Sequence, residues 1–211
     1  MRGLTLVTAP AAEPVSLAEA KAHMRIDSAA DDSLISALIT AAREAAEAHT
    51  RRALVSQTWR LTLDGFPAPP LPWWDGVRQA ADMPGAGSVI ELPRPPLVSV
   101  TSVTTYDDGD NPTVASAASY FVDSDSEPGR VALRSGQTWP AVGRVAGGVE
   151  VIFVAGYGAA SAVPQAIRQA MLMYIGHLFE NREAEAATGT RVGALPPGVA
   201  ALWRPYRVLG L

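Results

Sequence analysis

The spacing of apolar residues changes character twice along the chain. From Ser16, "SLAEAKAHM" places Leu17, Ala20 and Met24 on one helical face. Ser16 and Glu19 stand at the separation at which a capping serine and a third-position glutamate satisfy each other's backbone N–H groups. "DSAADD" interrupts the pattern, and a second helix is predicted over 32–52, with acids at its start and Arg51 and Arg52 at its end, as the helix dipole favours. Its stripe begins with Leu34, Ile35, Leu38 and Ile39. Ala41, Ala42, Ala45, Ala46 and Ala48 continue it, and side chains this small let another backbone come close. That closeness serves either a helix pair within one chain or packing between subunits.

At Gln57 the period drops to two. "QTWRLTLDGF" alternates Trp59, Leu61 and Leu63 with Thr58, Arg60 and Thr62, the pattern of a half-buried strand. A loop rich in proline and glycine follows, with Trp73 and Trp74 adjacent in it. Strands are then predicted at "SVIELP", on both sides of the "YDDGDN" turn, around "EPG", and at the continuously apolar "VEVIFVAGYG". The helical period returns after Pro164, where Ile167, Met171, Tyr174, Ile175 and Leu178 make a wide apolar face. Glycine and prolines close this helix and open the tail.

The order of elements predicts an α+β fold. An N-terminal helix pair (1–56) packs with a long C-terminal helix (158–187). A β-rich insertion of about six strands (57–157) lies between them, and an extended C-terminal tail (188–211) follows.

Composition narrows the function. At 211 residues and 48% hydrophobic, the chain has material for a core. The absence of cysteine excludes disulfides, thiol catalysis and cysteine-based zinc sites. The N-terminal apolar run is too short for a signal peptide, and no run reaches membrane-spanning length, so a soluble product made in the cytoplasm is expected. His23, His49 and His177 are scattered, and "YDDGDN" (106–111) lacks the full calcium-loop spacing. No nucleophile elbow or phosphate-binding glycine motif is present. No catalytic, cofactor-binding or metal-binding residue is therefore assigned, and an enzyme is not expected.

Charge is unevenly placed. The formal total is −4, yet the only charges from Ala186 onward are Arg191, Arg204 and Arg207, which leaves −7 on the preceding residues. An acidic body is unsuited to gripping nucleic acid. The tail "LPPGVAALWRPYRV" combines an indole, a phenol, arginines and prolines, so it either caps its own core or lies against another molecule.

The ordered series "EPVSLAEAKAHMRID", "DDSLISALITAAREAAEAHTRRAL", "SQTWRLTLDGFP", "IELPRPPLVSVTSVTTYD", "YFVDSDSEPGRVAL", "VIFVAGYG…VPQAIRQAMLMYIGHLFENRE" and "LPPGVAALWRPYRV" resembles the head–tail connector, or adaptor, proteins of long-tailed bacteriophages and phage-like gene transfer particles. The resemblance spans nearly the whole chain; the loop at 67–88 is longer than the family pattern. It implies a structural virion protein of the neck, in a homo-oligomeric ring, usually of twelve subunits, under the portal. Such a ring extends the DNA channel, lets double-stranded DNA pass without specific binding, and docks the next stopper or tail protein. The resemblance also implies that the C-terminal segment clamps the portal protein, here through Leu195, Pro196, Pro197, Leu202, Trp203, Arg204, Tyr206 and Arg207. Trp73, Trp74, Ala41, Ala45 and Ala48 are the candidates for contacts to a neighbouring subunit or neck protein. Two other readings remain: a different neck or tail ring protein, and a β-rich carbohydrate-binding module stacking sugars on Trp73 and Trp74.

Overall fold

The computed structural model describes residues 2–67, 89–181 and 195–209. The chain forms two compact units, Met1–Ala9 with Gln57–Gly156, and Pro10–Ser56 with Tyr157–Leu211.

Among the described residues the first unit is all β apart from one short 3₁₀ turn. Its strands are β1 (Arg2–Thr8), β2 (Gln57–Leu63), β3 (Val89–Leu92), β4 (Leu97–Tyr106), β5 (Pro112–Val114), β6 (Tyr120–Asp123), β7 (Gly129–Leu133) and β8 (Val149–Ala155). Five of them make an antiparallel sheet in the order β1-β2-β8-β4-β5, and the other three make a sheet in the order β3-β7-β6. The alternation read at Gln57 places Gln57, Trp59 and Leu61 on the buried side. They sit opposite Ala155, Phe153 and Val151 of β8, whose inward residues are likewise buried. Gly129, at the start of β7, is required by a close approach: a Cβ there would lie 2.5 Å from the Cβ of Leu97.

The described residues of 57–157 thus carry seven strands, where about six were expected. An eighth comes from the N-terminus, whose "RGLTLVT" pairs with β2 from Arg2↔Leu63 to Thr8↔Thr58. Residues 2–8 therefore belong to the sheet, whereas 1–56 had been expected to form helices of the core. As an outermost strand, β1 keeps much of its length exposed and shows no clean alternation to mark it.

The second unit is helical, with α1 (Leu17–Met24), α2 (Asp32–Thr50), α3 (Gln165–Glu180) and α4 (Pro197–Trp203). The capping box forms as spaced: the Glu19 N–H donates to Ser16 Oγ at 3.2 Å and the Ser16 N–H to Glu19 Oε2 at 2.8 Å. The Ser16 N–H and hydroxyl, each donating to Glu19 Oε2 at 2.8 Å, lower the Glu19 pKa, as does the neighbouring Arg168 guanidinium. Helix α2 stops at Thr50 because Arg51 takes the left-handed conformation. Ile35, Ile39, Ala42 and Ala46 of α2 enclose one core with Ile167, Ala170, Met171 and Ile175 of α3. Arg43 is buried beside that core and is held by three carboxylates: Glu13 at 2.9 Å, Glu47 at 3.1 Å and Glu44 at 3.4 Å. Glu47 accepts a second bond from the Leu54 N–H, which leaves both members of the buried pair satisfied.

Candidate interface surfaces

The tail does not extend. Residues 197–203 form α4, and Arg204–Tyr206 add a 3₁₀ turn, so the extended C-terminal tail expected from the prolines is replaced by a helical hook. Proline disfavours a helix interior but suits its first turn, and Pro197 occupies that position. Seven residues would not hold a helix alone, so burial decides the outcome. Val199 and Trp203 are fully enclosed in the core of their own unit. The Trp203 indole N–H donates to the Ile167 carbonyl at 3.4 Å, and its ring meets Tyr174 edge-on with centroids 6.0 Å apart and His49 at 5.8 Å. Beyond it, Arg52 Nε donates to the Tyr206 carbonyl at 2.6 Å, and the Val208 N–H to the Thr50 carbonyl at 2.9 Å.

The residues expected to form a portal-binding arm therefore divide. Trp203 faces inward and anchors the hook. Leu195, Pro196, Leu202 and Tyr206 are half-buried, while Pro197, Arg204, Pro205 and Arg207 are exposed. The outward surface of the hook is thus cationic and proline-bearing, and its largest aromatic is spent on attachment. Sequence spacing held the signal for this split, since Val199 and Trp203 are four apart and share one helical face.

On α2, Ala41 and Ala48 are exposed and Ala45 is half-buried, whereas Ala42 and Ala46 face the core. The run of alanines thus serves two faces, one of them open. Trp73 and Trp74 lie outside the described residues.

The acidic turn joins β4 to β5 and satisfies itself. Asp107 Oδ1 accepts from the Gly109 N–H at 2.8 Å and the Asn111 N–H at 2.9 Å. Hydrogen bonds from Asn111, side chain first, lower its pKa. Among the described residues no group of His, Cys, Asp and Glu is arranged to hold a metal ion, and no helix is long and apolar enough to cross a membrane.

Residues 14–79 match the sequence pattern of the family described as phage gp6-like head-tail connector protein. This is the head–tail connector pattern. It covers α1, α2 and β2. The likeness to solved structures extends over nearly the full chain. In the neck of an empty gene transfer agent (GTA) particle computed with C6 symmetry, one chain matches at a TM-score of 0.75 and 27% identity, covering 99% of this chain and 97% of its own. A chain of the native gene transfer agent virion matches at 0.71 and 27%, covering 99% and 96%. A chain of the native particle's neck, computed with C12 symmetry, matches at 0.70 and 27%, covering 99% and 97%. No curated protein sequence matches the chain.

Proposed function

We propose that the chain is a structural head–tail connector, an adaptor subunit of the neck of a tailed phage or gene transfer particle. The observation that carries this is the full-length likeness to gene transfer agent neck chains at 27% identity, joined to the connector pattern over 14–79. It acts by assembly and not as an enzyme. Copies form a ring, with twelve subunits as the expected number, between a portal protein on one side and a stopper or tail protein on the other. The acidic body, −7 over 1–185, repels the phosphate backbone and lets DNA pass without being held.

The hook is the portal-facing element. Its exposed Arg204 and Arg207 supply positive charge for an acidic portal surface, with Leu195, Pro196, Pro197, Leu202 and Tyr206 around them. Trp203 contributes indirectly by fixing the hook in place. A single hook binds modestly, but hooks on matched rings engage together, and the effective concentration of each is set by its neighbours. Ala41, Ala45 and Ala48 offer a close-packing face on α2 for the adjacent subunit.

The test is co-sedimentation with assembled portal rings of the same particle. Wild type is expected to bind at about one copy per portal subunit. A double variant, Arg204→Glu with Arg207→Glu, is expected to fold normally and lose binding. Binding by both at equal strength would remove the hook from the portal contact. Binding by neither would remove the connector reading.

A further inference from the structure

The five-stranded sheet has two open edges of similar make. On one side β1 has no strand beyond it among the described residues. On the other, β5 pairs with Thr104–Tyr106 of β4, which leaves residues 98–102 of β4 uncovered by any strand among the described residues. No backbone hydrogen bond leaves either stretch outward among the described residues. Proteins usually guard such edges with proline, lysine or inward charges. Here "GLTLVT" (3–8) and "VSVTS" (98–102) contain no proline and no charge. They expose apolar side chains instead: Leu6 at 39% and Val7 at 46% on one edge, Val98 at 49% on the other. The guards that remain are Arg2 at the start of β1 and irregular register, in β1 past Leu6 and in β4 after Leu97 and after Val100.

A ring made from one repeated chain needs two different surfaces on each copy that complement each other. The edges of this sheet meet that condition in polarity, length and direction. Every pairing from β1 through β2 and β8 to β4 is antiparallel, so β1 and β4 run in opposite directions within one subunit. Copies placed side by side in the same orientation therefore present β1 of one to β4 of the next as an antiparallel pair. We infer that the exposed edge of β1 pairs with residues 98–102 of β4 in the adjacent copy, so that the five-stranded sheets continue from subunit to subunit around the ring. The inference rests on the connector reading above, and it adds a contact between neighbouring subunits to the alanine face of α2.

The absence of cysteine gives a clean test. Thr5, Arg60, Ile152 and Ser102 lie in one row across the sheet. Thr5 and Ser102 are therefore three strand spacings apart in one subunit, roughly 14 Å. A disulfide needs Cα atoms within about 7 Å, so a bond between these edges can form only between copies. Thr5→Cys would be combined with Thr101→Cys and, separately, with Ser102→Cys, to sample both faces of β4. Both double variants would be assembled into rings, verified by electron microscopy, and oxidised gently. At least one double variant is expected to give a ladder of covalent multimers on denaturing gels, with each single variant remaining monomeric. Intact rings without a ladder from either would overturn the edge pairing and leave the connector reading standing. Dimers from Thr5→Cys alone would replace it with a β1-to-β1 contact. If no assembly forms, alone or with portal rings, both the connector reading and the edge pairing fail.

Discussion

Arg52 Nε donates to the main-chain carbonyl of Tyr206 at 2.6 Å across a separation of 154 residues. The bond ties the turn after α2 to the far end of the hook, and the Thr50–Val208 backbone bond reinforces it two residues away. The hook is thus part of the helical unit's fold, and its attachment can be separated from what its outer surface does.

Trp203→Ala should destabilise the helical unit by about 3–5 kcal/mol, the cost of emptying a large buried aromatic site. Arg207→Ala, on the exposed side of the same hook, should change stability by less than about 0.5 kcal/mol. Chemical denaturation of the two variants checks the contrast. Equal and small effects would mean that the indole does not hold the hook down.

The carboxylates around Arg43 should behave unequally. Glu47 is buried, pairs with Arg43 at 3.1 Å and also accepts the Leu54 N–H. Glu47→Ala leaves a buried guanidinium and a backbone donor short of a partner and should cost about 3–5 kcal/mol. Glu44 is 67% exposed, and Glu44→Ala should cost no more than about 1 kcal/mol. Thermal melts of the pair decide it, and a Glu44 effect as large as that of Glu47 would contradict the burial argument.

Gly129→Ala should cost about 1–3 kcal/mol, because the added methyl must push strand β7 away from Leu97. Leu97→Ala should not rescue it, since the nearest atom is the Leu97 Cβ, which alanine retains. A double-mutant cycle read by urea denaturation tests this. Full rescue would place the clash further along the leucine side chain.

Asp123 gives a pH dependence. Its carboxylate accepts from Ser126 Oγ at 2.7 Å and from Arg130 Nε at 2.8 Å, and these bonds, Ser126 first, lower its pKa from 3.8 to about 2. A carboxylate depressed in the folded state adds stability that is fully present above its unfolded value and lost as pH falls through the folded one. Asp123→Asn should therefore be less stable than wild type near neutrality, and the gap should close between about pH 4 and pH 2. Urea denaturation at stepped pH measures it. A gap that persists unchanged at pH 2 would assign the effect to something other than ionisation.

The elements that announced themselves in the sequence are those whose local chemistry and tertiary burial agree. Ser16 and Glu19 cap α1 as their spacing requires, the α2 stripe of Ile35 and Ile39 faces the core, and Trp59 and Leu61 alternate inward on β2. Two elements were hidden because their surroundings decide them. Pro197 can begin a helix but Gly198 and the short length give it little local support, and the burial of Val199 and Trp203 makes one. "RGLTLVT" carries little periodicity because an edge strand need not bury one whole face, and its partner β2 lies almost fifty residues away. The candidate site followed the same rule. The outward character of Arg204 and Arg207 was legible, while the inward turn of Trp203 depended on the α3 face that receives it.

The main β segment leaves the helical unit at Gln57 and returns at Gly156. Those two points are neighbours: Gln57 pairs with Ala155, and just beyond them the Ser56 N–H donates to the Gly158 carbonyl at 3.0 Å while the Tyr157 N–H donates to that of Leu54 at 2.9 Å. The hundred residues between them therefore begin and end side by side, on one pair of neighbouring strands. A segment whose two ends meet can change in length between them without moving the points where it joins the helices.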